Sequence, residues 1–331
     1  MSSRVPPESY PASAEPLPPQ PDQAEGAPSS APPAERGAWW LGYLLGLALL
    51  GSLAAAALIG LAMLAGAPPR TVLLFGVDER PDEQQRGVPG HTDTIAVLVL
   101  GATGEATLVS FPRDLWVTIP GYGPERLNVA YPVGAQSGGP PAGAALLART
   151  LSAGFGLATD RWARVDFRGF AAMVDAAGGV DISVPQTIVD ETYPTDDYGT
   201  RRLVIPAGRQ HFDGAEALAY ARTRAPDSDF GRMARQQQVL VALRQQMLSP
   251  AGLVRLPRLL AALPAAVRSD LSARETLALL RTLAATPPDR LRALVIGPDL
   301  APPSVGPGGA AILTPRTDAI RQAIVQALGG P

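Results

Sequence analysis

The chain has 331 residues, a formal net charge of −2 and 46% apolar side chains, enough to bury the core of one large or two small domains. This charge balance lacks the basic field of nucleic-acid-binding proteins, so we expect no nucleic-acid partner. Cysteine is absent, which excludes disulfides and thiolate nucleophiles, and two histidines argue against a histidine-rich zinc site. All 28 basic residues are arginines, so every cationic side chain is a guanidinium suited to bidentate phosphate binding.

The first part of the chain has the pattern of a tail followed by a membrane anchor. Residues 1–38 contain ten prolines and are predicted to be disordered. The 33 residues between Arg36 and Arg70 carry no charge, and Trp39 and Trp40 lie near their start, as interfacial aromatics do in membrane-spanning helices. We predict one transmembrane helix at 39–67, with the tail in the cytoplasm and the remaining chain outside it. A cleaved signal peptide and a buried core helix are the alternatives.

Beyond residue 70 the pattern alternates between strands and helices, which predicts a three-layer α-β-α sandwich with a mixed central sheet. We expect a catalytic domain at 70–249 and a C-terminal α/β extension at 250–331 that packs on it. Strands are predicted at 71–76, 94–100, 106–111, 116–119, 180–184, 203–205 and 291–296. Helices are predicted at 141–153, 167–177, 214–220, 231–248, from a capping box at Ser272, and after Pro315 to about 328.

Polar residues cluster where the first three predicted strands end or begin. In an antiparallel meander these positions share one edge of the sheet, which brings together Asp78 with Arg80, His91 with Asp93, and Arg113. Two carboxylates can share Mg²⁺, which takes one or two carboxylates together with waters and phosphate oxygens. The alternative is ordinary turn chemistry, because aspartate is common at strand ends.

A second cluster consists mainly of arginines. If 222–224 is extended, Arg222 and Arg224 point to the same face. Arg232 and Gln236 are four residues apart and share a helical face, with Arg235 beside them. Such neighbouring cations need an anion, and a diphosphate is a natural match. A surface charge run, neutralised by nearby aspartates and solvent, is the alternative.

Several separate segments, in order between residues 71 and 248, resemble the LytR-CpsA-Psr family of cell-envelope proteins. They are LFGVDER at 74–80, HTDTI at 91–95, SFPRD at 110–114, RLNVAY at 126–131, VDAAGGV at 174–180, ALAYARTR at 217–224, DFGR at 229–232 and RQQ at 235–237. The predicted tail, single span and outer domain also match the family's usual layout.

The resemblance implies transfer of a glycopolymer from undecaprenyl diphosphate to a peptidoglycan sugar hydroxyl, with magnesium as cofactor. It also implies a hydrophobic tunnel for the lipid, for which the apolar runs 146–147 and 239–243 are candidates, although core packing is an alternative for both. Carried over residue by residue, Asp78 and Asp93 would hold the metal. The predicted catalytic residues are Arg113, Asp93, Arg222 and Arg224, and the predicted diphosphate ligands are Arg80, His91, Arg126, Arg232, Arg235 and Gln236.

Two positions depart from the family pattern. His91 stands where the family commonly has arginine, which removes a permanent positive charge. Arg126 stands where it commonly has lysine, which preserves the charge.

The expected partners are a polyprenyl-diphosphate-linked glycan, a cell-wall glycan acceptor and membrane lipid. A diphosphate hydrolase and a non-catalytic lipid-binding or regulatory protein are the competing functions.

Overall fold

The computed structural model describes residues 67–78, 89–195, 199–223, 225 and 229–330. The predicted tail at 1–38 and nearly all of the predicted span at 39–67 therefore lie outside the described residues. Within these ranges, no helix combines the length and the apolar composition that crossing a bilayer requires.

The described part of the chain alternates strands and helices. Its strands are β1 (Thr71–Asp78), β2 (His91–Leu100), β3 (Ala106–Phe111), β4 (Trp116–Ile119), β5 (Gly123–Arg126), β6 (Arg161–Asp166), β7 (Val180–Val184), β8 (Ile188–Pro194), β9 (Thr200–Ile205), β10 (Gly208–Phe212), β11 (Val267–Ser269), β12 (Leu291–Val295), β13 (Pro303–Val305) and β14 (Ala311–Leu313). Its α-helices are α1 (Ala130–Phe155), α2 (Phe167–Ala177), α3 (Gly214–Arg222), α4 (Asp229–Leu248), α5 (Pro250–Ala266), α6 (Ala273–Ala285) and α7 (Thr317–Ala327).

A six-stranded sheet in the order β11-β6-β1-β2-β3-β12 forms the centre of the fold. β1, β2 and β3 pair as an antiparallel meander, whereas β6 runs parallel to β1 and β12 runs parallel to β3. The predicted mixed sheet and its meander are therefore confirmed. The two edge strands, β11 and β12, both come from residues beyond 249, so the C-terminal part of the chain completes this sheet.

Helices pack on both faces of the sheet because each central strand is apolar on both sides. Leu73 and Phe75 of β1 lie in a core cluster with residues of α1 and α7. Val72, on the opposite face, lies in a cluster with Leu98 and with Leu279 of α6. A separate apolar cluster joins α2, α3, α4 and α5 to β7, β8, β9 and β10 beside the sheet.

Three predicted helix boundaries are confirmed by the residues that cap them. The side chain of Asp166 accepts a hydrogen bond from the backbone N–H of Gly169 and so begins α2. Gly178, at φ 87°, ends the same helix in the left-handed region that glycine adopts without strain. Ser272 and Glu275 form the predicted capping box of α6.

Other boundaries differ from the predictions for local reasons. α1 begins at Ala130 but is interrupted at the non-helical Gly138 and Gly139, so the helix predicted at 141–153 is confirmed as its second run and the run that begins at Ala130 was missed. α3 extends through Arg222, so Arg222 is helical and the prediction of an extended 222–224 segment is wrong at that residue. Strand β6 was missed because its sequence, RWARVD, contains two arginines and an aspartate.

Candidate active site

The two predicted metal-binding carboxylates lie at the same end of the central sheet. Asp78 ends β1 and is the register partner of His91, which begins β2. The register then shifts, because Val77 pairs with Thr92 and Gly76 with Thr94, leaving Asp93 as an extra residue in β2. Such a bulge locally breaks the ladder and redirects the side chain of the extra residue. The fold therefore brings Asp78 and Asp93 to one edge, as the meander predicted.

Asp78 forms an ion pair with an arginine from a distant part of the chain. Nη2 of Arg222, the last residue of α3, lies 3.1 Å from Oδ2 of Asp78. The guanidinium carbon also lies 4.4 Å from the ring centroid of Phe167, which supports its flat face. The Arg222 side chain is only 12% exposed, so pairing and stacking together hold its charge in one place.

Asp93 is held from two directions. Its carboxylate accepts a short hydrogen bond from Nη1 of Arg113, which follows β3. Its backbone carbonyl accepts a hydrogen bond of 3.0 Å from Nη2 of Arg232 in the first turns of α4. Arg232 is buried, at 2% exposure. Guanidinium groups from the β3–β4 connection and from α4 thus meet at the same aspartate.

A third aspartate, Asp114, contacts two of the predicted site residues. Its Oδ2 lies 3.5 Å from Nε of Arg113, and its Oδ1 lies 3.7 Å from Nη1 of Arg126 at the end of β5. The Arg126 side chain is 35% exposed. Asp114 therefore holds Arg126 next to Arg113 while leaving it accessible to a ligand.

The structure gives Arg235 a different environment from the one expected of a diphosphate ligand. Its side chain is buried, its Nε donates to the carbonyl of Tyr220 at 3.0 Å, and its Nη2 donates to the carbonyl of Thr223. These contacts satisfy carbonyls at the C-terminal end of α3, where a cation is favourable. Gln236 similarly donates to the carbonyl of Ala221 at 3.3 Å. Arg235 is thus placed to position the segment after α3.

Sequence reasoning missed a buried polar contact next to this segment. The hydroxyl of Thr223 donates to Oδ2 of Asp190 in β8 at 2.6 Å, and both residues are buried. Thr223 directly follows Arg222, so Asp190 fixes the backbone that carries the site arginine. The phenyl ring of Phe167 was also missed, and neither has a sequence signal because each contact joins segments far apart in the chain.

The remaining predicted site residues are Arg80, Arg224 and His91. Arg80 and Arg224 lie outside the described residues. His91 is exposed at the start of β2, in register with Asp78, and so belongs to the same edge.

The donor set fits magnesium only together with a phosphate ligand. Among the described residues, no three or more histidine and acidic side chains group into a metal cage made by protein alone. The Asp78 and Asp93 side chains are partly exposed, at 28% and 15%, and supply two hard oxygen ligands. Magnesium commonly binds one or two carboxylates and completes its shell with waters and substrate phosphates. The residues present therefore fit a magnesium–phosphate site.

The apolar runs considered for a lipid tunnel are mostly core residues. Leu147 and Val239 are fully buried, and Leu243 is nearly so. Leu146 lines a cavity of about 420 Å³ between the 120–122 turn and α1, with Val133 and Tyr122 also in its wall.

The site as a whole is an edge of the sheet where arginines meet aspartates. Each of Arg113, Arg126 and Arg222 pairs with an aspartate, so the positive charges are balanced and held in place. Guanidiniums arranged in this way can bind a doubly charged phosphate group and neutralise charge that develops on it.

Comparison with known proteins gives a consistent family match. The model of the LytR_cpsA_psr family matches residues 62–298. LcpB of Corynebacterium glutamicum, a probable cell wall biosynthesis protein, is 40% identical over 166 residues, which are 50% of this chain and 36% of LcpB. TagU of Oceanobacillus iheyensis, a polyisoprenyl-teichoic acid–peptidoglycan teichoic acid transferase, is 34% identical over 203 residues, which are 60% of this chain and 58% of TagU. The chain spans less than two thirds of the length of either curated relative.

A solved structure shares the fold. TagT of Bacillus subtilis with bound octaprenyl pyrophosphate superposes with a TM-score of 0.56 at 21% identity, covering 80% of this chain and 92% of that one.

Proposed function

The chain belongs to the LytR-CpsA-Psr family, and on that premise we propose that it transfers a glycopolymer from a polyprenyl-diphosphate carrier to a sugar hydroxyl of the cell wall. The observation that carries this proposal is the meeting of Arg222 with Asp78 and of Arg113 and Arg232 with Asp93 at one end of the sheet. The transferase name of the relative TagU and the pyrophosphate lipid bound to TagT support the same donor chemistry.

Arg113, Arg126 and Arg222 bind the diphosphate in this proposal. They are partly exposed and already oriented by aspartates, so little side-chain ordering is needed when the headgroup arrives. Arg232 is buried and donates a hydrogen bond to the Asp93 carbonyl, so its positive charge adds to that of the partly exposed arginines. Arg235 and Gln236 hold the end of α3 and thereby position Arg222.

The reaction is an in-line displacement at the phosphorus next to the glycan. The acceptor hydroxyl oxygen bonds to that phosphorus, the bond to the bridging oxygen breaks, and polyprenyl phosphate leaves with the bridging oxygen. Asp93 accepts the proton of the attacking hydroxyl. Positioning and charge neutralisation supply most of the catalysis in such transfers, and the arginines provide both without a covalent intermediate on the protein.

Asp78 and Asp93 would hold magnesium, whose charge reduces the repulsion between phosphate oxygens and the incoming hydroxyl. The guanidiniums and the metal together would neutralise the negative charge of the diphosphate. We also propose that the chain is anchored by the apolar segment at 39–67, with its α/β domain outside the cytoplasm, since donor and acceptor both belong to the cell envelope.

A transfer assay tests the reaction. The purified full chain would be given a radiolabelled polyprenyl-diphosphate-linked glycan, magnesium and peptidoglycan fragments. We expect one polyprenyl monophosphate released for each glycan phosphate attached to the acceptor. Release of the lipid without attachment would instead assign the site to a hydrolase.

A matched pair of variants links this activity to the site. Arg222→Gln removes the guanidinium that pairs with Asp78 and should reduce transfer about 100-fold or more, as expected for the loss of a preorganised charge at a reacting phosphate. Arg202→Gln removes a 65% exposed arginine on β9 that pairs with Glu191 and should leave transfer unchanged. Equal activity in both variants would contradict the proposed site.

A further inference from the structure

Helix α5 presents an apolar face that no other described element covers. With 100° between successive residues, six residues fall within an arc of about 120° on this helix. They are Leu253, Val254, Pro257, Leu260, Ala261 and Pro264, and all are exposed. Val254 is 82% exposed and Leu253 57%. The opposite side of the helix, with Gly252, Leu259 and Ala266, is buried.

The same part of the chain is positively charged. Residues 230–269 contain six arginines and no aspartate or glutamate, in a protein whose overall net charge is −2. Arg258 is exposed and borders the apolar arc. Two further arginines of this stretch, Arg255 and Arg268, are also exposed. Arg255 faces away from the arc and donates to the Ala177 carbonyl, so Arg258 is the arginine at its border. An apolar helix face bordered by a cation, in a stretch without acidic residues, fits a helix that lies in the interface of an anionic bilayer.

The path of α4 shows where this surface lies in the fold. At its start, Arg232 contacts Asp93 at the site end of the sheet. Near its end, Arg244 donates to the carbonyl of Thr286, shortly before β12 begins at the opposite end. The α4–α5 connection therefore lies toward the end where β1 starts. Only residues 68–70 separate β1 from the segment at 39–67 that the sequence predicts to span a membrane.

We propose that the outward face of α5 is a membrane-contact surface that rests in the interface of an anionic lipid bilayer. The apolar arc enters the boundary between lipid headgroups and acyl chains, and Arg258 at its border pairs with lipid phosphates. A second copy of the chain is a poorer occupant, because a twofold contact through this face would bring arginines together with no acidic residue from this stretch to balance them. The surface is independent of the transfer chemistry.

The absence of cysteine allows a single-site test. The full chain would be reconstituted in nanodiscs that contain an anionic phospholipid, carrying either Val254→Cys or Val305→Cys labelled with an environment-sensitive fluorophore. The two valines are matched, at 82% and 77% exposure, and Val305 lies on β13, away from α5. We expect a blue-shifted emission at position 254 and several-fold stronger quenching by brominated lipids than at position 305.

Two further measurements complete the test. Adding Leu253→Glu and Leu260→Glu to the protein labelled at position 254 should abolish the quenching. Thermal unfolding of this variant should remain cooperative, which would show that it is still folded. Nanodiscs of neutral lipid alone should quench the position-254 label less than anionic ones. Equal quenching at positions 254 and 305 would overturn the proposal. So would a blue shift of the position-254 label in detergent that grows with protein concentration, because it would mark a dimer contact at this face.

Discussion

Arg235→Met should lower the free energy of unfolding by about 3 to 5 kcal/mol. The guanidinium is buried and donates to the carbonyls of Tyr220 and Thr223. Hydrogen bonds from a charged donor contribute roughly 1.5 to 3 kcal/mol each, and methionine retains the apolar stem but neither donor. For a domain of this size roughly 2–4 °C is lost per kcal/mol, so the melting temperature should fall by about 10 °C.

The measurement is thermal and urea unfolding of the full chain in detergent, with Arg202→Met as the control. Arg202 is 65% exposed and pairs with Glu191 on the surface, so its loss should cost at most about 1 kcal/mol. Arg235→Lys should recover only part of the stability, because one ammonium cannot reproduce the fork that reaches both carbonyls. If Arg235→Met leaves stability within about 0.5 kcal/mol of the original protein and abolishes lipid binding, Arg235 is a direct ligand and our assignment is wrong.

Two other predictions concern stability away from the site. The pKa of Glu275 is lowered to about 2 by hydrogen bonds from the backbone and hydroxyl of Ser272, and then by Arg161. Because the pKa in the folded state lies below the ordinary 4.5, the Glu275 carboxylate stabilises the folded state fully above pH 4.5. This contribution is lost as the pH falls toward 2. The difference in melting temperature between the original protein and Glu275→Gln should therefore shrink over that interval, and a constant difference would refute the pairing. Gly169→Ala should lower the free energy of unfolding, measured with urea, by about 1 to 3 kcal/mol, because the new Cβ would lie 2.3 Å from the Ala266 carbonyl oxygen. The control is Gly154→Ala in α1, whose Cβ would meet nothing within 4 Å and which should be neutral or stabilising. Equal effects of the two substitutions would contradict the close contact of α2 and α5.

The sequence predicted the local features of the site well, because they depend on neighbouring residues. Consecutive strands with no predicted helix between them favour a meander, and the meander places Asp78 and Asp93 at one edge. The capping residues Asp166 and Ser272 act within one helical turn, so their patterns are readable without tertiary information.

The features that sequence reasoning missed depend on partners far along the chain. Strand β6 looks too polar for the centre of a sheet, but Arg164 is buried there and donates to the hydroxyl of Tyr131 at 3.0 Å. Arg235 looks like another phosphate ligand beside Arg232 until its carbonyl partners are known. The bulge at Asp93 depends on the pairing register of β1 and β2, which hydrophobic alternation alone does not define.

The claim on which the function rests is that Arg113 and Arg222, 109 positions apart in the chain, bind one diphosphate headgroup. The most direct test measures the affinity of the full chain for polyprenyl diphosphate and polyprenyl monophosphate, with Arg113→Gln, Arg222→Gln and the double variant. We expect each single variant to lose about 10- to 100-fold in diphosphate affinity, to lose the preference for diphosphate over monophosphate, and to combine non-additively. Diphosphate affinity unchanged in both single variants would contradict the account.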